Sequence, residues 1–453
     1  MTSIEKLLEK FKPSWEEQER YGHVASRIVE SIQNQCREKG IDADPVLVGS
    51  FAKDTNLRGG DLDIFVRFSR SYSTRELEKL GLEIGRRVVK DPQARYAEHP
   101  YISGTLEGVK IDVVPCYRID KSSEMVSSVD RTPLHTKYVN SHLREEQKDD
   151  VRKLKLLLKS LDIYGSEIYR NGFSGYVCEL LVDKYVSYRE VIRSFSEARG
   201  RIVIPAGSPS ASRFTSPMVL IDPCDDDRNA AASVSLESLS KLKMAAKLLL
   251  NGYEDVILRK TRRIRGLNPG SRQTALRIFR IPLPDLVPDT VYPQALKFRD
   301  VIISILHEGG FIPVSSAVDI TTNIDVLIEC ERDVVPRVIQ HRGPSVDLPN
   351  SVDFLMKWRE RNNLRGPYIL GDRLYVDIER DCTVLEECVK KSIGKYDIGK
   401  NLNRYRGEIR ILDPLKDKEH LSSKVVESFM NESFPTTSAK VEGVDHLPTG
   451  EDL

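Results

Sequence analysis

Residues 47–68 read LVGSFAKDTNLRGGDLDIFVRF, and the turn near the start of this stretch decides the fold. The apolar run before Gly49 predicts a strand, and a short helix can begin at Ser50. Gly49 lets the backbone approach a ligand closely, and the Ser50 hydroxyl lies beside the free amide groups of a helix start. Lys53, one turn further on, can add positive charge on the same side. The stretch therefore predicts a turn that holds a triphosphate.

Two carboxylates follow this turn within the same stretch. Asp61 and Asp63 come after ten intervening residues and continue into an apolar run. Because side chains alternate along a strand, both carboxylates point to one face of it. A third, Asp112, lies within VKIDVV at 109–114, which is another strand-like run. The sequence therefore predicts three carboxylates on neighbouring strands.

The three carboxylates predict a site for two metal ions. Carboxylates that lie close together repel each other unless a cation separates them, and hard oxygen ligands favour Mg²⁺. Three of them can hold two ions roughly 3.5–4 Å apart, the arrangement used for in-line phosphoryl transfer. We expect Asp61 and Asp63 to bridge both ions and Asp112 to hold the ion beside an attacking 3′-hydroxyl. Pyrophosphate is then the leaving group.

Length and composition narrow the class of protein. The 453 residues suffice for about three domains, and no run of about 18 apolar residues is present to cross a membrane. The N-terminus has no apolar signal core. The seven cysteines are scattered without a CxxC pair, which predicts reduced thiols in a cytoplasmic protein rather than disulfides or a zinc site. They are Cys36, Cys116, Cys178, Cys224, Cys330, Cys382 and Cys388.

Charge is balanced overall but segregated along the chain. The net charge is +1, so an RNA-binding surface has to come from local clusters. Residues 256–284 carry eight basic side chains and no acidic one, which indicates either a solvated face or a phosphate-binding surface. The predicted RNA contacts are Arg259, Lys260, Arg262, Arg263, Arg265 and Arg272 in this run, with Arg404, Arg406 and Arg410 further on.

The order of these features resembles a known superfamily. A Gly-Ser turn, a short spacer, two acids one residue apart and a later strand Asp are the signature of the polymerase β-like nucleotidyltransferases. The resemblance extends over nearly the whole chain to the archaeal (class I) CCA-adding enzymes. It rests on RYAEHPYISG, IDVVPCYRI, RTPLHTKYV, IYGSEIYRNGFSGYVCELLV and LIDPCDDDRNAAASVS. It implies template-independent addition of CCA to the 3′ end of tRNA from CTP and ATP, two Mg²⁺ ions and a homodimer.

The resemblance also implies roles for residues outside the carboxylates. His135, Lys155 and Tyr164 would contact the triphosphate and sugar together with the turn, and Arg228 would present its guanidinium to the incoming base. Basic residues of the C-terminal region would contact the acceptor stem and elbow of tRNA. Each residue also has a simpler interpretation. His135 and Tyr164 could be packing residues, Lys155 one member of a solvated stripe, and Arg228 a partner of the aspartates before it.

The fold class that follows is α+β. The strand-like runs before residue 120, together with the resemblance, imply a polymerase β-like catalytic head with a small mixed sheet in residues 1–140. A mostly helical neck is expected in 141–258, and a body with an RRM-like α+β tail in 259–433. Residues 434–453 are polar and turn-rich and are predicted to be disordered.

Other functions compete with this interpretation. A poly(A) polymerase would share the catalytic head, and a tRNA-binding protein could carry a vestigial one, although the presence of all three carboxylates argues against that. A small-molecule nucleotidyltransferase fits poorly with the long C-terminal region. Asp61 stands where the family often has Glu, which ligates Mg²⁺ equally well, and residues 254–259 only faintly resemble a base-reading motif of class II enzymes.

Overall fold

The structure, a computed structural model, describes residues 3–96, 99–258, 273–361 and 363–416, together with residues 425, 426 and 429. Along the chain it divides into two compact units, with the boundary in the sequence between residues 261 and 262. Within the described ranges, no helix has both the length and the apolar character needed to span a bilayer. Helices and small sheets occur in both units, which confirms the predicted α+β class.

The N-terminal part of the first unit is built around a five-stranded sheet. Its elements in chain order are α1 (Ser3–Phe11), α2 (Trp15–Glu38), β1 (Ala43–Val48), α3 (Gly49–Ala52), β2 (Leu62–Phe68), α4 (Thr74–Val88), β3 (Lys90–Tyr96), β4 (Pro100–Leu106) and β5 (Val109–Tyr117). The strand order is β1-β2-β5-β4-β3. β2 and β5 run parallel, and the other neighbours are antiparallel. The parallel pair of strands therefore carries Asp63 and Asp112, and Asp61 immediately precedes β2.

Helices α2 and α4 cover one face of this sheet. Their apolar side chains form one core with the inward-facing residues of β2, β4 and β5. α4 lies close to the sheet, since a Cβ on Gly81 would come within 2.5 Å of a sheet side chain. Leu62 and Ile64 are fully buried in this core. Because side chains alternate along β2, Asp63, and Asp61 just before the strand, belong to the face that the helices leave uncovered.

The second part of this unit is mostly helical. Its elements are α5 (Thr132–His142), α6 (Glu145–Ser160), α7 (Gly175–Tyr185), α8 (Tyr188–Glu197), β6 (Ile202–Ile204), β7 (Met218–Asp222), β8 (Asp225–Asn229), α9 (Leu236–Leu250) and α10 (Glu254–Leu258). The apolar stripe of α6 is buried, because Val151, Leu154 and Leu158 have no exposed surface. β6, β7 and β8 form a small sheet in which LIDPCDDDRN makes a hairpin. The sequence pattern did not predict this hairpin, because its second strand is rich in Asp and Asn, which are poor strand formers.

The second unit carries a four-stranded antiparallel sheet and a smaller three-stranded one. Its elements are β9 (Ala275–Pro282), α11 (Pro288–Gly309), β10 (Pro313–Asp319), β11 (Asn323–Cys330), β12 (Val338–Ser345), α12 (Ser351–Arg359), β13 (Arg365–Leu370), β14 (Arg373–Glu379), α13 (Leu385–Ser392) and β15 (Arg410–Leu412). The larger sheet has the order β10-β11-β9-β15, and the smaller one the order β12-β14-β13. With α11 and α13 between its strands, the larger sheet follows the βαββαβ connection of ferredoxin-like and RRM-like units.

One prediction about the cysteines was wrong. The structure joins Cys382 and Cys388 by a disulfide with a Cα–Cα separation of 5.4 Å, within the usual range. The other five cysteines are free, as predicted. α13 begins at Leu385, so its first turn brings Cys388 back beside Cys382, and no CxxC spacing announces this.

Candidate active site

The parallel pairing of β2 with β5 brings two of the predicted carboxylates side by side. Asp63 and Asp112 are register partners on these strands, and Asp61 lies two residues earlier. The predicted turn adjoins them. Gly49 has a φ of +75°, and a Cβ built on it would lie 2.9 Å from Cγ of Asp63. The turn and the carboxylates therefore form one continuous group, in which Ser50 is the second residue of α3.

The carboxylates are short of positive charge. The pKa of Asp63 is raised to about 8, first by burial and then by the charges of Asp61 and Asp112. Burial also raises the pKa of Asp112. Lys110 Nζ lies 3.4 Å from Asp61 Oδ2, on the exposed side of the group. Oδ1 of Asp112 is buried and has no hydrogen-bond partner among the described residues. An added cation would relieve both the repulsion and the unpaired oxygen.

The donor set therefore fits a divalent metal, although the side chains are not yet arranged around one point. Among the residues that the structure describes, no three Asp, Glu, His or Cys side chains are grouped closely enough to ligate one ion. Asp61 turns toward Lys110 instead. Oxygen-only ligands are those that Mg²⁺ and similar hard cations prefer.

Beneath the turn lies a buried cluster of charged side chains. Lys53 Nζ donates to Glu179 Oε2 at 2.6 Å, and Thr55 Oγ1 donates to Glu179 Oε1 at 2.6 Å. Lys155 Nζ donates to the Thr55 carbonyl oxygen at 2.8 Å and lies 3.7 Å from Glu179. Two ammonium groups share one carboxylate, so the cluster carries a net positive charge next to the turn. Such a charge suits a triphosphate.

Burial decides how these groups titrate. Lys155 is 1% exposed, and burial lowers its pKa to about 8 although Glu179 opposes the shift. Burial alone would raise the pKa of Glu179, but Lys53 and Lys155 outweigh it and lower that pKa. Glu179 is therefore an anion at neutral pH. The structure places Lys155 inside the protein rather than on the solvated stripe.

Tyr164 and Lys155 meet at the start of α7. A Cβ on Gly175 would come within 3.1 Å of the Tyr164 hydroxyl and 3.6 Å of Lys155 Nζ. Lys159 Nζ lies 4.7 Å from the centre of the Tyr164 ring. Glycine at this position leaves room for both side chains at the N-terminal turn of α7. The structure thus brings Lys155 on α6 and Tyr164 in the loop before α7 together beside Lys53, which caps α3.

A second cluster is centred on Asp222, which is fully buried at the end of β7. His135 Nε2 lies 2.9 Å from Asp222 Oδ2, and Arg228 Nη1 donates to the same oxygen at 2.8 Å. The Tyr176 hydroxyl and the Cys224 amide donate to Oδ1, each at 2.9 Å. The rings of His135 and Tyr176 stack at 3.9 Å with an interplanar angle of 14°. The structure therefore places His135 and Arg228, two of the predicted nucleotide contacts, on one carboxylate oxygen.

The charges in this cluster are fixed by their neighbours. Although burial alone would raise the pKa of the Asp222 carboxyl, His135 and Arg228 hold it well below its ordinary value. Burial lowers the pKa of His135, and Asp222 only partly offsets this. At neutral pH the imidazole is therefore neutral, and the carboxylate requires its proton to be on Nε2. Nδ1 is left as a hydrogen-bond acceptor.

Sequence reasoning missed the residues that join the two clusters. Glu179 and Tyr176 lie one turn apart on α7, and Lys53 Nζ lies 5.8 Å from the centre of the Tyr176 ring. Asp222 lies in LIDPCDDDRNAAASVS, one of the stretches that carry the resemblance, which predicted no role for it. The signal that could have found them is an acid inside an apolar run, as in YVCELLV and VLID, because a buried acid requires a partner.

The predicted RNA contacts lie elsewhere in the chain. Residues 259–272, which include Arg259, Lys260, Arg262, Arg263, Arg265 and Arg272, lie outside the described residues. In the second unit, Arg277 is 3% exposed and pairs with Asp333 and Glu386. Arg280 pairs with Asp325 at 2.6 Å. These two arginines of the basic run therefore form ion pairs within the second unit.

Of the later arginines, Arg406 donates to the carbonyl oxygens of Gly394 and Tyr396 at 2.9 and 3.0 Å. Arg404 and Arg410 are exposed.

Three family profiles match the chain in consecutive segments. The nucleotidyltransferase domain matches residues 29–135, and the second domain of tRNA nucleotidyltransferase matches residues 149–256. The C-terminal domain of the CCA-adding enzyme matches residues 272–412. Together they account for most of both units.

Whole-chain relatives agree with these profiles. The chain is 43% identical over 412 residues to the CCA-adding enzyme of Thermoplasma acidophilum, which covers 91% of this chain and 95% of that enzyme. It is 43% identical over 415 residues to the CCA-adding enzyme of Picrophilus torridus, covering 91% and 95%. A structure of the Cid1 poly(U) polymerase with MgGTP bound is less similar, with a TM-score of 0.43 and 16% identity over 55% of this chain and 93% of that chain.

Proposed function

The chain belongs to the CCA-adding enzymes. We propose that it rebuilds the 3′-terminal CCA of tRNA from CTP and ATP. Each addition is an attack of the tRNA 3′-hydroxyl on the α-phosphate of the nucleotide, with pyrophosphate leaving. The observation that carries the proposal is the pairing of Asp63 with Asp112 beside the Gly49 turn. Carboxylates next to a turn that admits a phosphate chain suit this transfer.

Asp61, Asp63 and Asp112 are proposed to hold two Mg²⁺ ions. When bound, these ions supply charge that polarises the phosphate and favours loss of the hydroxyl proton. The proposal is supported by the charge deficit of the group, because the like charges that raise the pKa of Asp63 would be compensated. Oδ1 of Asp112, unpaired among the described residues, would also gain a partner. Asp112 would hold the ion beside the attacking 3′-hydroxyl.

The two clusters are proposed to contact different parts of the nucleotide, the buried cluster the triphosphate and the Asp222 cluster the ribose and base. In this proposal Ser50, Lys53 and the positive charge of the buried cluster face the triphosphate. Lys155 on α6 and Tyr164 in the loop before α7 support them. His135, neutral and with Nδ1 as an acceptor, suits a ribose hydroxyl, which donates. Arg228 has 30% of its side chain exposed and presents its remaining donors to the base. Selection of C and A then uses protein groups without a template strand.

Recognition of tRNA is assigned to the second unit and to the basic run at 256–284, which extends into it. Phosphate contacts from lysine and arginine provide affinity that falls steeply with salt and follows the shape of the RNA more than its sequence. We propose that the enzyme works as a homodimer in the cytoplasm, as the resemblance implies. Arg259 and Lys260 begin the proposed contact surface.

The test is incorporation of CTP and ATP, separately and together, into tRNA transcripts that end before CCA, with Mg²⁺ present. We expect two C residues, followed by a single A only when ATP is present. An Asp63→Asn variant, checked for folding by circular dichroism, controls for contaminating activity.

Other products would change the assignment. Long A tails made from ATP alone would favour a poly(A) polymerase. Tight tRNA binding without any addition would favour a protein whose catalytic head is vestigial.

A further inference from the structure

The structure assigns to Asp222 the role of a positioning residue that determines nucleotide specificity by fixing Arg228 and His135. This inference rests on the proposed function, because it takes Arg228 as the base-reading group. Asp222 itself has no exposed surface and therefore cannot contact a nucleotide. Its effect has to pass through the side chains that it holds.

The two carboxylate oxygens of Asp222 contact different groups. Oδ1 accepts from the Tyr176 hydroxyl and from the Cys224 amide, each at 2.9 Å, so this oxygen anchors the side chain to α7 and to the hairpin turn. Oδ2 faces His135 at 2.9 Å and Arg228 at 2.8 Å. One fixed oxygen thus sets the position of both groups that point into the proposed pocket.

The orientation of Arg228 depends on its ion pair with Asp222. Among the described residues, Asp222 is the one carboxylate that pairs with its guanidinium. An arginine side chain is long and flexible, and its planar fork reads a base edge only when its orientation is set. The neighbouring acids on the hairpin are occupied otherwise, since Asp225 pairs with Arg131 at 3.0 Å and Asp227 pairs with Arg213.

The surrounding residues hold Asp222 in the charged form that this role needs. His135 and Arg228 stabilise the carboxylate, and no other acid is bonded to it in the described part of the chain. The stacked ring of Tyr176 keeps His135 in plane against the carboxylate. Asn at position 222 keeps the shape but loses the charge, and its amide nitrogen cannot accept from Arg228.

The experiment measures kcat/KM for CTP, ATP, UTP and GTP on tRNA lacking CCA, for the wild-type chain and for Asp222→Asn. We expect the preference for CTP over UTP to fall about tenfold in the variant, since a charge-assisted contact that orients the reader is lost. Partial unfolding would instead lower all four rates by one factor and leave the preference unchanged. The matched control is Asp227→Asn, which removes an exposed acid from the same hairpin and is expected to keep the wild-type preference.

Two further variants separate positioning of Arg228 from loss of folding. Tyr176→Phe retains the stack on His135 and removes one donor to Oδ1, so a loss of preference of about threefold is expected even if Asp222→Asn does not fold. In an Arg228→Ala background, the Tyr176 and Asp222 variants should change the preference no further. Wild-type preference in both variants, or equal losses with and without Arg228, would overturn the inference. Failure of the proposed function would appear earlier, as a wild-type chain that adds no C or A.

Discussion

Gly49→Ala tests whether the turn and the carboxylates form one catalytic group. A Cβ at this position would lie 2.9 Å from Cγ and 3.1 Å from Cβ of Asp63. The nearest atom is Oδ2 of Asp63, which the added methyl group would overlap. Ordinary van der Waals contact begins at 3.4 Å, so this oxygen has to withdraw by about 1–1.5 Å. Misplacement of a reacting group by about 1 Å can cost roughly 100-fold in rate. We therefore expect single-turnover CTP addition to fall about 100-fold.

Gly59→Ala provides the matched control for the backbone. Gly59 also has a positive φ, +71°, but a Cβ there would meet nothing within 4 Å. Both variants incur the left-handed backbone strain of about 1 kcal/mol, so both should lose similar stability in thermal unfolding. Only Gly49→Ala should lose catalysis beyond that. Equal rates in the two variants would refute the contact between the turn and Asp63.

Three other predictions concern charge. Burial and like charges raise the pKa of Asp63 from 3.8 to about 8, so its contribution to stability is complete below about pH 4 and lost as pH rises through 8. In chelator-treated protein, Asp63→Asn should therefore raise Tm at pH 8, and Mg²⁺ should stabilise the variant less than the wild type. Glu179→Gln leaves two buried ammonium groups unpaired and should cost about 3–5 kcal/mol in urea unfolding, against about 0.5 kcal/mol or less for the exposed Glu190→Gln. Charge reversal at Arg262 and Arg263 should weaken tRNA binding and flatten its salt dependence without altering nucleotide choice, and unchanged affinity in a filter-binding titration would exclude them as phosphate contacts.

The elements of the catalytic head could be predicted because local patterns and the fold agree there. Alternation along LDIFVRF places Leu62 and Ile64 in the core, and the structure buries both. The hairpin at LIDPCDDDRN could not be predicted in the same way. Its second strand is DDDRN, whose residues disfavour strands, and pairing with β7 overrides that preference. The disulfide between Cys382 and Cys388 likewise depends on where α13 begins.

In the candidate site, too, local patterns predicted some residues, whereas others depend on partners far along the chain. Asp63 and Asp112 could be predicted as neighbours because strand alternation and strand order are regular. For Lys155, the sequence left open both a solvated stripe of α6 and the triphosphate contact that the resemblance implies. In the structure α7 packs over this side chain and supplies Glu179 as a partner. Periodicity within one helix gives the direction of a side chain, whereas its burial depends on a second helix far along the chain. Partners of buried charges were therefore the part that sequence reasoning missed.

The first turn of α7 accounts for both ends of the proposed pocket. Tyr176 and Glu179 are three residues apart and so lie on one side of the helix. Glu179 binds Lys53 below the phosphate turn, and Tyr176 binds Asp222, which holds Arg228 at the base end. Any shift of this turn would move the phosphate-binding and base-reading groups together. Under the proposed function the pocket accepts C twice and then A, which requires a change at its base end while its phosphate end stays fixed. We therefore expect this change to arise beyond Asp222, in Arg228 or in the growing RNA, rather than in α7.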